Sequence, residues 1–141
     1  MCVLCKADST NPNEAIVFED NDTVAVVSFG QKRRNIGAIL VIPKRHFRDV
    51  YTIPDELLAK VHILAKRISL AMKQALKCDG ISIRQNNDEA GDQDVFHYHV
   101  HVIPRFKDDN FRYSELVQST LEERVQVRDM IKKHLTSSST D

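Results

Sequence analysis

Hydrophobic positions along the chain first recur at strand spacing, then at helix spacing, then at strand spacing again. Residues 14–20, EAIVFED, and 21–30, NDTVAVVSFG, are two short apolar runs separated by Asp20-Asn21-Asp22, which is turn chemistry; they predict a hairpin. NIGAILVIP, residues 35–43, predicts a third strand ended by Pro43, which has no N–H to offer a neighbour. Over residues 52–78 the period changes. Leu57, Val61, Leu64, Ile68, Ala71 and Ala75 recur at spacings of four and three, the apolar face of a long helix. Thr52 is the expected N-cap, with Pro54, Asp55 and Glu56 in the first turn, and Cys78-Asp79-Gly80 ends the helix. ISIRQNN (81–87) predicts a fourth strand, DEAGDQD a polar loop, and VFHYHVHVIPRF a fifth strand. Thr120 and Glu123 have capping-box spacing ahead of a second helix over 121–135. His62 and His134 fall on the helices and read as surface or packing residues.

Three strands, a helix, two strands and a helix predict an α+β fold: a five-stranded, mainly antiparallel sheet with one long helix and a C-terminal helix. At 141 residues, one domain is expected over 1–135, and the polar tail 136–141, TSSSTD, is expected to be disordered. Twenty basic residues balance twenty acidic ones, so no global field attracts nucleic acid or an anionic membrane, and any phosphate recognition has to be local. No apolar run reaches the roughly 18–20 residues a membrane span needs, and the N-terminus lacks a signal pattern, so a cytoplasmic location is expected. Three cysteines read as ligands or free thiols rather than a disulfide framework.

The chemistry concentrates in FHYHVHVIP, residues 96–104, which holds half of the six histidines: His97, His99 and His101. On a strand, alternate residues share a face, so these three line one face while Tyr98, Val100 and Val102 line the other. Buried imidazoles need hydrogen-bond partners, and an exposed polar face rarely repeats histidine. Either the set binds a metal directly, or one ring acts as nucleophile or acid/base while its neighbours fix its tautomer. Spacing alone does not choose between the two.

HYHVHVIP, with QNNDEAGDQDVFHYHVHVIPRF (85–106) and GAILVIPKRH (37–46) in the matching order, resembles the histidine triad (HIT) superfamily over nearly residues 1–115. The resemblance implies a HIT-like fold, and makes His99 the nucleophile toward the α-phosphate of a purine nucleotide conjugate. A phosphoramidate or a dinucleoside polyphosphate would pass through a nucleotidyl-histidine that water resolves. It implies that His101 contacts the phosphate or protonates the leaving group. Gln93, Asn86 and backbone N–H groups of the 92–95 loop, with Asp94 and Val95, would be substrate contacts. Val17, Phe18, Val27 and Phe29 are candidates for the base cleft, although a core role suits each of them as well. A homodimer is implied too, its sheets continuing across the interface.

Cys2 and Cys5, in CVLC, are a Cys-x-x-Cys pair able to hold zinc or to remain free thiols, and His46 and His97 are candidates for two further ligands. Some bacterial members of the superfamily carry a Cys2His2 zinc site, and residues match at all four positions, which implies a structural zinc. The chain also departs from the family pattern. Ala38 stands where a histidine is usual, Gly30 where an acid or amide holds the ribose, and Asp92 where glycine is common. Lys32, Arg33 and Arg34 read as a solvated loop, with phosphate or partner contact as the alternative. The leading expectation is a nucleotide hydrolase; the alternatives are a zinc-stabilised nucleotide-binding module with little catalysis, and a zinc hydrolase using the triplet as ligands.

Overall fold

The computed structural model describes residues 2–135; the tail 136–141 lies outside them. In chain order the elements are β1 (Ile16–Glu19), β2 (Thr23–Val27), β3 (Gly30–Lys32), β4 (Ile39–Pro43), α1 (Asp55–Leu76), β5 (Gly80–Arg84), β6 (Val100–Arg105), β7 (Leu116–Gln118) and α2 (Leu121–Lys132). One five-stranded sheet runs β1-β2-β4-β6-β5, every neighbouring pair antiparallel, and β3 pairs with β7 in a separate two-stranded ribbon.

The α+β expectation holds, and parity along the central strands explains how the sheet packs. Ala25, Val27, Ile39, Val41, Val100 and Val102 face the helices, where Val61, Leu64, Ile68 and Met72 of α1 and Val127 and Ile131 of α2 complete the core. Val24, Val26 and Ile42 face the other way, under Leu4 and Ala7 of the N-terminal segment. The sheet is therefore covered on both faces, by helices on one and by residues 2–7 on part of the other.

Several boundaries differ from the sequence reading. Thr52 is not the N-cap: α1 begins after Pro54, while Thr52 donates its backbone N–H (3.1 Å) and its hydroxyl (3.1 Å) to the buried Asp49 carboxylate in the preceding turn. The third strand starts at Ile39 rather than Asn35 because Gly37, at φ +123°, turns the chain, and a Cβ there would run into Leu76. The fifth strand begins at Val100, not before the triplet. Its ladder with β4 stops at the Val41–Val100 pair, close to Pro43, which cannot donate. The capping box of Thr120 and Glu123 is present as expected, and α2 ends at Lys132. His62 and His134 do find partners, the Tyr98 hydroxyl at 2.9 Å and Gln74 at 3.1 Å, on the outside of the helices.

The Lys32–Arg34 loop reading is corrected at Lys32. Gln31 is buried and donates to the carbonyls of Ser28 and Ala38 while accepting from the N–H groups of Gly37 and Ala38. Residues 30–32 are a strand, while Arg33, paired with Glu115 at the surface, and Arg34 follow in an exposed turn and keep the solvated character.

Beyond β6 the chain is fastened by Asp109. Its carboxylate accepts from Arg105 Nε (2.8 Å) and Nη2 (3.0 Å), from Asn35 (2.7 Å), and from the N–H groups of Phe106 and Phe111. The Arg105 hydrogen bonds, with the others behind them, hold its pKa well below the usual carboxylate range. A lowered folded pKa stabilises fully above about pH 4 and loses that contribution as pH falls below it. Asp109→Asn is thus expected to cost about 3 kcal/mol in urea unfolding at pH 7, with the gap from the parent narrowing at pH 3.

Candidate functional site

The face of β6 opposite the helices carries the triplet, and the chain just before the strand keeps the same alternation. Tyr98 points to α1, where it meets His62, and its N–H donates to the Phe47 carbonyl at 2.6 Å. His97, His99 and His101 share the other side with the N-terminal segment. They divide there into two groups.

His97, fully buried, belongs to the first. Residues Val3–Lys6 form a 3-10 turn, whose three-residue period places Cys2 and Cys5 on one side. His46 comes from the turn after β4. Sγ of Cys5 lies 3.3 Å from His46 Nδ1 and 3.4 Å from His97 Nδ1, Cys2 Sγ is 3.4 Å from His97 Nδ1, and the two Nδ1 atoms are 3.1 Å apart. A tetrahedral zinc with ordinary bond lengths separates its sulfur and nitrogen ligands by about 3.5 Å and two nitrogens by about 3.3 Å. The four residues fit such an ion. His97 Nε2–H donates to the Pro43 carbonyl at 2.8 Å, leaving Nδ1 as the free ligand atom. Burial lowers the pKa of His97, which favours the neutral ring a metal needs, and burial together with Cys2 raises that of Cys5. Among the described residues this is the one such cluster of His, Cys, Asp and Glu, and His99 and His101 lie outside it. The reading of the triplet as a complete metal-ligand set is thereby set aside.

His99 and His101 form the second group, with ring centroids 5.0 Å apart in an edge-to-face arrangement. His99 is buried and its Nδ1 lies 2.6 Å from the His97 carbonyl oxygen, so that nitrogen carries the proton and donates it. Nε2 is left with its lone pair free, and both rings line a cleft of about 590 Å³. Burial first, and then His99, pushes the pKa of His101 down to about 4, so that ring is neutral near pH 7.

The other predicted residues separate. Asn86, Asp94, Val95 and Phe29 line the cleft, as does Asp92. Asp94 Oδ1 accepts from the Val95 N–H at 2.9 Å and lies 3.4 Å from His99 Nε2. Gln93 does not face the cleft. It is buried, donates to the carbonyls of Arg48 (2.7 Å) and Val95 (3.2 Å), and accepts from the Asp88 N–H at 2.8 Å, which shapes the loop rather than contacting a ligand. Phe18 packs against the helix-side core under Arg67, away from the cleft, and Val17 and Val27 lie in that core too.

Sequence reasoning missed part of the lining, namely Leu4, Arg84, Phe111, Leu116 and Gln118; Lys32, for which phosphate contact was the alternative, lines it as well. Arg84 could have been found, because it is the cross-strand partner of His101 at the end of β5. Leu116 and Gln118 arrive on β7, a three-residue strand with no periodic signal to read, and Phe111 on the short turn before it.

Residues 9–108 match the family described as the HIT domain. Protein hit of Bacillus subtilis is 36% identical over 111 residues, covering 78% of this chain and 75% of that protein. A zinc-bound histidine triad family protein from Mycobacterium smegmatis superposes with a TM-score of 0.81 at 28% identity, over 95% of this chain and 92% of that one. A HIT family hydrolase from Legionella pneumophila is 32% identical, with a TM-score of 0.57 over 72% of this chain and 90% of its own.

Proposed function

The chain belongs to the HIT domain family, and on that footing we propose that it is a nucleotide hydrolase or nucleotidyl transferase acting through His99. Its substrate is a purine nucleotide conjugate, either a phosphoramidate or a dinucleoside polyphosphate. The observation that carries the reading is the hydrogen bond of His99 Nδ1 to the His97 carbonyl, which leaves Nε2 at the cleft.

In the first step the Nε2 lone pair forms a bond to the α-phosphorus as the bond from phosphorus to the leaving nitrogen or oxygen breaks. The positive charge forming on His99 is delocalised to Nδ1–H and met by the carbonyl oxygen of His97. His101, neutral and beside His99, hydrogen-bonds through its ring N–H to a phosphoryl oxygen, while the departing atom takes its proton from solvent, to which the water of the second step returns one. Water then attacks phosphorus, the N–P bond breaks, and the nucleoside monophosphate leaves with His99 restored. Gln93 serves as a positioning residue, holding the 88–95 loop that carries Asn86's neighbour Asp92 and Asp94.

Cys2, Cys5, His46 and His97 hold a structural zinc in this reading, supported by the fit of their ligand atoms and by the zinc-bound relative. Four protein ligands leave no open position for water, so the ion fixes the N-terminal segment and His97 and takes no part in bond making. The same reading includes a homodimer joined at the free edge of β5, where Ile83 is exposed and Ile63 and Leu70 of α1 present apolar surface. Sedimentation at twice the chain mass is the expected result. No helix among the described residues is long and apolar enough to cross a membrane.

A second reading, a nucleotide-binding module with little catalysis, is favoured by one observation: the Asp94 carboxylate stands beside His99 Nε2, where a phosphoryl oxygen has to come. Adenosine 5′-phosphoramidate and diadenosine tetraphosphate decide between them. Release of AMP supports the hydrolase; nucleotide binding in calorimetry without turnover of either compound supports the module.

Because the Asp94 carboxylate, mostly exposed, stands beside His99 Nε2, Asp94→Ser is expected to lower KM roughly tenfold, the effect of removing about 1–2 kcal/mol of like-charge repulsion. Steady-state kinetics at low salt check it, and an unchanged or higher KM counts against the placement of the phosphate at Nε2.

A further inference from the structure

One wall of the cleft lies beyond the family match. That match ends at residue 108, yet Phe111, Leu116 and Gln118 line the same cleft as His99 and His101. Leu116 and Gln118 are brought there by β7, which pairs with β3 so that Gln118 stands opposite Gly30, and Phe111 comes from the turn Phe111–Tyr113 before it. A Cβ on Gly30 would lie in ordinary contact with Leu116 Cδ1 (3.6 Å) and Gln118 Nε2 (3.7 Å), so an amide and an apolar side chain from another part of the chain lie directly against position 30.

The wall is fastened firmly. Ser119 donates its N–H and its hydroxyl to the Phe29 carbonyl, each at 2.8 Å, and Lys32 donates to the Ser114 carbonyl at 3.1 Å. The buried Arg124 lies 3.8 Å over the Phe29 ring and donates to the Asn13 carbonyl at 3.0 Å. Asp109, through Arg105, fixes Phe111, whose ring sits 4.5 Å under the guanidinium. No hydrogen bond among the described residues occupies the Gln118 amide, which offers both a donor and an acceptor to the cleft.

We propose that Gln118 binds the ribose hydroxyls of the nucleotide, with Phe29, Phe111 and Leu116 around the base, so that residues 109–119 set nucleoside preference. This rests on the nucleotide reading above. A nucleoside monophosphate presents, in sequence, an anionic phosphate, a vicinal diol and a flat, largely apolar base. The cleft presents His99 and His101 for the first, the Gln118 amide with both ends uncommitted for the second, and Phe29 and Phe111 with Leu116 for the third. An amide suits a diol because its oxygen accepts from one hydroxyl while its NH2 donates to the other.

The test is binding rather than turnover: calorimetry of AMP and of 2′,3′-dideoxyadenosine monophosphate with the full zinc-replete chain. The parent is expected to prefer AMP about tenfold, the scale of one to two net hydrogen bonds. Gln118→Ala is expected to bring that ratio to about one while leaving dideoxy affinity unchanged. Gln118→Glu, whose carboxylate accepts from both hydroxyls, is expected to keep a preference. A ratio that survives in Gln118→Ala, a parent with no preference, or an equal loss for both nucleotides in Gln118→Ala overturns the proposal. A protein that shows the expected ratios but hydrolyses nothing loses the hydrolase reading and keeps this one. One that hydrolyses with a ratio indifferent to Gln118 does the reverse.

Discussion

Replacing His99 with alanine is expected to lower kcat for adenosine 5′-phosphoramidate by at least about four orders of magnitude, leaving AMP affinity within a few fold of the parent. The size follows from the step removed. Without Nε2 there is no covalent route, and water would have to displace the leaving group unaided in a site whose remaining groups only bind and polarise. Four orders correspond to about 5.5 kcal/mol of barrier. Affinity should survive because the walls of the cleft come from β3, β7 and the 86–95 loop, none of which depends on the His99 ring. His101→Ala is the informative companion. Its expected loss is smaller, about a hundred- to a thousandfold, because a donor to phosphate is removed and the nucleophile is kept. Stopped-flow or steady-state assay of AMP release checks both, and equal losses in the two variants would contradict the division of roles.

Removing the zinc is the second large effect. The ion would join residues 2–5 to His46 and His97, segments that otherwise meet mainly through the small apolar cluster of Leu4 and Ala7 on Val24, Val26 and Ile42. Zinc at a thousand times its dissociation constant contributes about 4 kcal/mol to folding stability, which for a chain of this size moves the Tm by about 10 °C or more. Treatment with a strong chelator, followed by calorimetry, is expected to show that drop, and Cys5→Ser should reproduce it in untreated protein. Activity should fall less than stability. His97 offers its backbone carbonyl to His99 Nδ1, and that carbonyl is also held by the neighbouring N–H bond of Tyr98 to Phe47. Elemental analysis of freshly purified protein that finds no zinc, with no Tm change on chelation, would contradict the assignment.

Much of this architecture is legible in the residues because its signals are local or periodic. The α1 face, from Val61 to Ala71, is read from spacing alone, and so is the capping box of Thr120 and Glu123. The triplet's parity also survives where its strand does not: His97 and His99 lie before β6, after a bend at residues 95–97, yet they stay on the side of the sheet that alternation assigns, with Tyr98 in the helix-side core. Pairing decided by distant partners is harder to see. Nothing near Thr52 says that Asp49 will claim its hydroxyl, and nothing in LVQ says that it will lie along GQK, because that match is made by Arg124, Ser119 and the Asp109 staple. Gln93 shows a further limit. Its place in the motif suggests a ligand contact, but its three backbone hydrogen bonds, which use both ends of the amide, are visible only once the loop is folded. The residues of the cleft that came from motif are largely those of the 86–101 segment, and those that came only from structure are the wall supplied by β3 and β7.

The central claim is that His99 forms a covalent nucleotidyl intermediate, and mass spectrometry of the quenched enzyme tests it most directly. Protein mixed with excess adenosine 5′-phosphoramidate, stopped in alkali because an N–P bond is labile to acid, and digested, should yield the peptide spanning His99 with one adenylyl group attached. The adduct should be localised to His99 and be absent from His99→Ala. Turnover with no adduct in that peptide, or an adduct on another residue that persists in His99→Ala, would contradict the account.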